Sequence, residues 1–319
     1  MVTLLCPVRR CHRPLARERQ RLVCPRRHSF DAAGSGYVNL LQPQDRRSPR
    51  PGDSAEAVAA RRRFLDRGFE APLTEAMAGL LTLTPSDAVL EVGCGEGHHL
   101  AAIVARFGCE GHGLDISAAA IDAAARRHPR LHWIVANADR FLPYADASFR
   151  AVISVTARRN AAEFRRALRA DGVLLVIIPG PDDLVELREA ILGEGIRRDR
   201  VDDARAAFAP HFVLERHQPI RHVARLDPDS IGDVMVSSYR GLRASQRARL
   251  AAVGALDVTL SRDALLFRPA PWRDPGAWGR TATAPGRQKV GRETRQRGDR
   301  PPLLRADGKG APRLSARGS

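Results

Sequence analysis

At 319 residues, with 44% hydrophobic and 28% charged residues, the chain can bury one large core or two smaller ones. No apolar run reaches the length of a bilayer span and the first ten residues lack a secretory core, so the reading is cytoplasmic with no membrane contact; five cysteines, an odd number, argue against a disulfide framework. The net charge of +16 sits at the ends, with +9 in residues 1–63, −1 in 64–268 and +8 in 269–319; arginine-rich base composition does not explain a neutral core between basic ends, so a polyanion is the expected partner.

Three of the cysteines fall in the first 31 residues. Cys6, Cys11, Cys24 and His28 form a C-x4-C-x12-C-x3-H pattern, four ligands in two close pairs that suit tetrahedral Zn2+. A segment this short has little core of its own, so the metal would supply its folding energy. The first pair is wider than the usual two-residue spacing, and His12, beside Cys11, is an alternative ligand. Phe30 to Leu41 ends this finger as a short strand or turn, and residues 42–52, rich in Pro and Arg, read as a linker or mobile loop. Asp53-Ser54 then caps a helix from about Ala55 to Arg67, whose Arg61-Arg62-Arg63 cluster can face phosphates or simply solvent.

The stretch Val89 to Gly97 is a buried strand that ends in Glu91 and turns through Gly93, Gly95 and Gly97 into a helix. Glycines there let the backbone approach a ligand. A second strand ends at Asp115, placed to accept both hydroxyls of a ribose. The glycine spacing is G-x-G-x-G, not the G-x-G-x-x-G of a dinucleotide fingerprint. Glu91 would repel a pyrophosphate and suits a cofactor with a cationic amino-acid end, such as S-adenosylmethionine. The pattern resembles the E/D-x-G-x-G-x-G motif of class I methyltransferases. That resemblance implies contacts to the adenine from Ala138 and Asp139, which follow the third strand.

The core continues as helix 117–127, strand 131–135, strand 151–155, helix 161–168 and strand 173–178, the βαβ units of a parallel sheet. Residues 184–252 read as mostly helical, and 256–260 with 264–268 as a closing hairpin. From Pro269 the chain reads as a disordered basic tail that could raise RNA affinity without specificity. The expected division is a zinc-binding RNA-recognition domain over 1–45, a Rossmann-like, doubly wound α/β methyltransferase domain over 46–268, and the tail over 269–319.

A more specific likeness runs through the N-terminal half. Cys6, Cys24, His28, Phe30 and Asp31, then Gly36 to Leu41, Pro51 to Ser54, Glu56, Arg61 to Asp66, Gly68 and Glu91 to Gly97 together resemble the 23S rRNA (guanine-N1)-methyltransferases. Pro179-Gly180-Pro181 with Leu184, Glu186 and Leu187 resembles that family's P-G-P-x-H-L-x-E-L segment. The likeness covers residues 4–190 well and 191–268 loosely. It implies a S-adenosylmethionine-dependent enzyme acting on a guanine in a hairpin of large-subunit rRNA, with His99 and Leu100 bordering the cofactor; a homodimer is compatible with it.

The chain departs from the family pattern at several positions. Glu70 replaces a tyrosine, Asp183 a histidine, and His98-His99 a tyrosine pair. Ser154 to Arg159 matches neither the family's segment after the fourth strand nor the Asn/Asp-Pro-Pro-Tyr of many N-methyltransferases, and no catalytic base is identified. Two other readings therefore stand beside the first: the same fold acting on a small molecule, and an RNA-binding protein without catalysis.

Overall fold

The computed structural model describes residues 2–46, 48–157, 160–239 and 243–271. The predicted tail from residue 272 onward, and Arg158 and Arg159 of the unmatched segment, lie outside them.

Three short strands, β1 (Ala16–Glu18), β2 (Arg21–Val23) and β3 (Ser29–Asp31), form an antiparallel sheet of their own. Little apolar surface supports it. The buried side chains are Leu22 and the three cysteines, with Val8, Leu15 and Phe30 partly covered. The chain then enters the main sheet through β4 (Val38–Asn39).

Two helices follow, α1 (Ala55–Asp66) and α2 (Ala71–Leu80). The Ser54 side chain accepts from the Ala57 N–H and so fills one orphan donor of α1. The doubly wound core runs β5 (Ala88–Val92), α3 (His98–Phe107), β6 (Glu110–Asp115), α4 (Ala118–Arg127), β7 (His132–Val135), β8 (Phe149–Val155), α5 (Ala161–Ala167) and β9 (Leu168–Pro179).

After β9 the chain departs from the mostly helical reading. Short helices α6 (Val185–Leu187) and α7 (Val201–Phe208) lead into a 15-residue strand, β10 (Phe212–Leu226). Helices α8 (Pro228–Ser238) and α9 (Ala244–Ala252) precede β11 (Leu256–Pro269). The predicted hairpin within 256–268 is instead one unbroken strand, antiparallel to both β10 and β9. Ser261-Arg262-Asp263 looks like a turn in sequence because it is polar, but it continues the strand, and Ser261 and Asp263 are buried. β10 escapes a helical reading only in three dimensions: as the sheet's outer strand it exposes Val213, Arg216, Pro219 and Val223, and the missing proline N–H costs nothing at an edge.

The eight strands lie in the order β10-β11-β9-β8-β5-β6-β7-β4, parallel from β9 to β4. Successive residues of each strand feed opposite layers. Val89, Ile153 and Leu175 pack with Leu73, Met77, Leu100 and Ile103 on one face. Leu90, Val152 and Leu174 pack with Phe164 and Phe208 on the other. Each fully buried residue of this kind contributes about 1.5–3 kcal/mol, and burial on both faces explains why the strands read as continuous apolar runs. A third cluster joins Phe64 of α1 to α8 and to the ends of β10 and β11. The chain direction of winding reverses between β5 and β8, which opens a crevice at their C-terminal ends.

Candidate active site

Two cavities open at that crevice. The first, about 610 Å³, is lined by Gly93, Asp115, Ala138 and Asp139 with Asn137 and Ile116. The second, about 430 Å³, lies over the ends of β8 and β9 and reaches α8 and β11. Asp53, Arg61, Val155 and Thr156 border both, so they communicate at the loop after β8.

The glycine turn builds the first cavity, but its three glycines do different work. All have left-handed backbone, with φ of 75°, 55° and 81°. A Cβ on Gly93 would lie 2.3 Å from that of Ala157, and one on Gly97 would lie 2.3 Å from the Trp133 ring. Gly95 has the open side: the nearest atom to its Cβ position is Arg61 Nε at 4.0 Å.

Asp115 is fixed by the Gly95 and Ser117 N–H groups, at 3.0 and 2.8 Å, and burial raises its pKa. Glu91 is buried beneath the turn, accepts from the Leu100 N–H at 3.0 Å, and is pushed by burial up to about 7. Leu100 is fully buried in the core and does not line the cavity; its N–H serves to hold Glu91. His99 faces the other way, its Nδ1 3.2 Å from Thr74 Oγ1 and its Nε2 3.6 Å from Glu70.

Part of the stretch read as a linker, Ser48, Pro51 and Gly52, forms a wall of this cleft. Pro51 and Gly52 line it, the Gly52 Cβ position lies 2.6 Å from Ser117, and the Ser117 hydroxyl donates to the Asp53 carbonyl at 2.7 Å. The arginine triplet of α1 is shared out. Arg61 enters the cleft near Glu96 at 3.8 Å, Arg62 pairs with Asp66, and Arg63 forks onto Asp233 of α8.

The second cavity carries the residues that sequence reasoning missed. Arg262 of β11 donates to Glu70 at 2.9 Å and also pairs with Asp183. Burial opposes the Glu70 charge, but Arg262, His99 and Arg61 outweigh it and hold that carboxyl far below its usual range. Burial instead raises Asp183. The Pro179-Gly180-Pro181 segment is fastened to β11: a Cβ on Gly180 would strike Ser261, and Glu186 accepts from the Thr259 N–H and hydroxyl at 2.8 and 2.7 Å. The absence of Gly, Pro or Asn between Val258 and Phe267 is the one sequence signal against a turn at Arg262; the three polar residues Ser261 to Asp263 mask it.

At the N-terminus, Cys6, Cys11, Cys24 and His28 converge, with their ligand atoms within 4.8 Å of one another. A zinc tetrahedron with ordinary bond lengths places sulfurs about 3.8 Å apart and sulfur about 3.6 Å from nitrogen. Here Cys11 and Cys24 Sγ are 3.8 Å apart, and His28 Nδ1 is 3.4 Å from the Sγ of both Cys6 and Cys24. The set fits Zn2+ despite the wide first pair. His12 is not in it; its ring stacks on Phe141 at 4.1 Å.

The dimensions and lining of the first cavity likewise fit a nucleoside cofactor: an anchored carboxylate, an apolar border at Ile116 and Ala138, and bare backbone at Gly93.

Comparison with known proteins agrees with both sites. A family model described as a methyltransferase domain matches residues 89–172, and a zinc-ribbon model described as RlmA, N-terminal, matches residues 4–49. S-adenosylmethionine and Zn2+ are the cofactors of these two parts. The 23S rRNA (guanine(748)-N(1))-methyltransferase of Streptomyces fradiae is 38% identical over 277 residues, 84% of this chain and 97% of that one. A protein of Micromonospora griseorubida, described as a candidate 23S rRNA (guanine-N(1)-)-methyltransferase, is 39% identical over 247 residues, 70% of this chain and 81% of that one. With the glycine-turn cleft, the zinc-ligand cluster and nearly the full length of the Streptomyces relative all matched, the chain belongs to the 23S rRNA (guanine-N1)-methyltransferase family.

Proposed function

We propose that this enzyme transfers a methyl group from S-adenosylmethionine to N1 of a guanine in a hairpin of large-subunit rRNA. The carrying observation is the pair of joined cavities at the ends of β5, β8 and β9, one suited to the methyl donor and one to a flat acceptor. Gly93, Asp115, Ala138 and Asp139 would hold the donor, with Glu91 and Gly95 supporting from beneath and His99, Leu100 and Gly97 setting the helix opening. Bound there, S-adenosylmethionine supplies an electrophilic methyl on a sulfonium; the protein's part is to align it with the acceptor.

Residues 1–45 would serve as an RNA-recognition module organised by zinc, and the basic segments at both ends would add salt-sensitive affinity for phosphates. Pairing hides guanine N1, so the base would leave its stack to enter the second cavity. Such a substrate places the enzyme in the cytoplasm. No helix among the described residues is long and apolar enough to cross a membrane.

The test is transfer of labelled methyl to unmodified large-subunit rRNA, followed by nuclease digestion and nucleoside mass analysis. The expected product is 1-methylguanosine, with a reverse-transcription stop at one guanine, because an N1-methyl group blocks pairing. A different methylated nucleoside would refute the acceptor. No incorporation with the cofactor still bound would favour a small-molecule acceptor or a non-catalytic role.

A further inference from the structure

Guanine N1 carries a proton at neutral pH, and methylating it without a base would leave a cation on the ring. Sequence reasoning finds no base. The second cavity contains two carboxylates, each nearly buried, that share one arginine, and their surroundings treat them differently. Two facing groups driven apart in this way are the usual mark of an acid–base assignment.

We propose that Asp183 is the catalytic base, accepting the N1 proton of the target guanine, with Glu70 and Arg262 as positioning residues; this rests on the guanine-N1 reading above. Asp183 follows the C-terminal end of β9, borders the acceptor cavity, and has 11% of its side chain exposed. The Ser261 N–H, at 3.0 Å, and the Arg262 guanidinium both meet its Oδ1. Oδ2 is the atom given to the base, whose N1–H and 2-amino group present adjacent donors on one edge. Arg188 borders the same cavity, and its Nε is buried without a hydrogen-bond partner among the described residues. That N–H suits the guanine O6, where negative charge grows as N1 loses its proton.

The environment favours Asp183 over Glu70 as the acceptor. Glu70 is committed to Arg262 at 2.9 Å and His99 at 3.6 Å and stays ionised. Burial makes Asp183 the more basic of the two, and a base nearer neutrality takes a proton more readily. The charged and titratable groups that line the cavity with Asp183 are Arg262 on β11, Glu70 at the head of α2, Arg188 after α6, Arg200 before α7, Tyr239 after α8, and Arg61 and Asp53 toward the donor side. In the step itself the N1–H bond breaks, its electron pair remains on the ring, and the proton goes to Asp183. The N1–CH3 bond forms as the C–S bond breaks with its pair to sulfur. Products are neutral thioether, neutral 1-methylguanine and a protonated Asp183, which returns its proton to water.

Single-turnover transfer to unmodified large-subunit rRNA, measured from pH 5 to 9 with full-length protein, tests this. Wild type should give 1-methylguanosine with a rate that climbs tenfold per pH unit on the acid side and then levels. Asp183→Asn keeps an acceptor for the Ser261 N–H but cannot take the proton. It should lose about 100-fold or more in rate, keep its cofactor and RNA affinities within about threefold, and show no levelling. Glu70→Gln should be slower but keep the wild-type shape. Asp183→Asn with wild-type rate and profile overturns the proposal while leaving guanine-N1 methylation intact. So does a rate loss matched by an equal loss of RNA affinity, or a levelling lost in Glu70→Gln instead. A wild-type product other than 1-methylguanosine overturns the guanine reading and the base with it.

Discussion

Replacing Arg262 with methionine removes the guanidinium that bridges Glu70 and Asp183 while nearly keeping the side chain's length. Both carboxylates are close to buried, with 12% and 11% of their side chains exposed. At the 2.9 Å Arg262–Glu70 separation and an effective dielectric of 20, the attraction is about 6 kcal/mol before the cost of desolvation. Breaking a buried pair on one side leaves uncompensated charge and typically costs 3–5 kcal/mol. We expect a loss of that size near pH 7.5, read by urea denaturation.

The pH dependence separates this cause from lost packing. In the wild type the Glu70 carboxyl is held below its unfolded value. Its contribution is therefore present above the ordinary carboxylate range and fades as pH falls through and below it. In the variant the two carboxylates lose the cation that bridges them, and both folded values rise, that of Asp183 further above an unfolded value it already exceeds in the wild type. That group gains stability as pH falls. The second effect shrinks the difference between wild type and variant from pH 7.5 toward 4.5, and the first adds to it only below that range. A loss that is constant across this range would refute the electrostatic account and leave only packing.

Three further outcomes follow from the geometry. Gly97→Ala should cost about 2–5 kcal/mol, the sum of a left-handed alanine and overpacking against Trp133, since its Cβ would lie 2.3 Å from the ring; an unchanged denaturation midpoint would contradict the placement of that turn. Chelation of the metal, or Cys24→Ala, should release one equivalent of zinc and remove amide-exchange protection from residues 4–31, because Leu22 and the cysteines are nearly all that is buried there; cofactor affinity should move less than about threefold, and retained protection would show that the ribbon folds without metal. Glu91, raised to about 7 by burial, is largely protonated at pH 6.5, and a cation bound above it should expel about half a proton or more. Calorimetry in two buffers of different ionisation enthalpy should show this for S-adenosylmethionine, and Glu91→Gln should abolish it; equal heats in both buffers would place the cationic end of the cofactor elsewhere.

Much of this molecule is local and so could be read from sequence. The strand–glycine–helix passage from Val89 to Phe107 is a local code, since apolar runs, turn glycines and helix periodicity all act within a few residues. The zinc ligands are likewise announced by residue type and spacing, even with the wide Cys6–Cys11 gap. What escaped was set by partners distant in the chain. β10 carries Glu215, Arg216, His217 and Gln218 in a row and becomes a strand because β11 pairs with it along nearly its whole length. Arg262 looks like a turn residue until Glu70, 192 positions away, and Asp183 neutralise it. The Pro- and Arg-rich stretch before α1 looks like a linker until Ser117 packs where a Gly52 side chain would stand.

The same long-range contacts bring together three of the positions at which the sequence reading expects departures from the family pattern. Glu70, His99 and Asp183 are far apart in sequence. In the fold they are neighbours in one network: His99 meets Glu70, Glu70 meets Arg262, and Arg262 meets Asp183. Loss of function by drift would leave buried charges without partners, each costing several kcal/mol. Here two carboxylates share a guanidinium beside the acceptor cavity, and the glycine turn and Asp115 of the donor cavity stand intact. Charges that compensate one another in this way, with Glu70, Asp183 and Arg262 all in the wall of the acceptor cavity, fit an acceptor site built around a carboxylate. An aspartate there can accept a proton, and the charges around it, Arg262 and Glu70 first among them, set how strongly it does so.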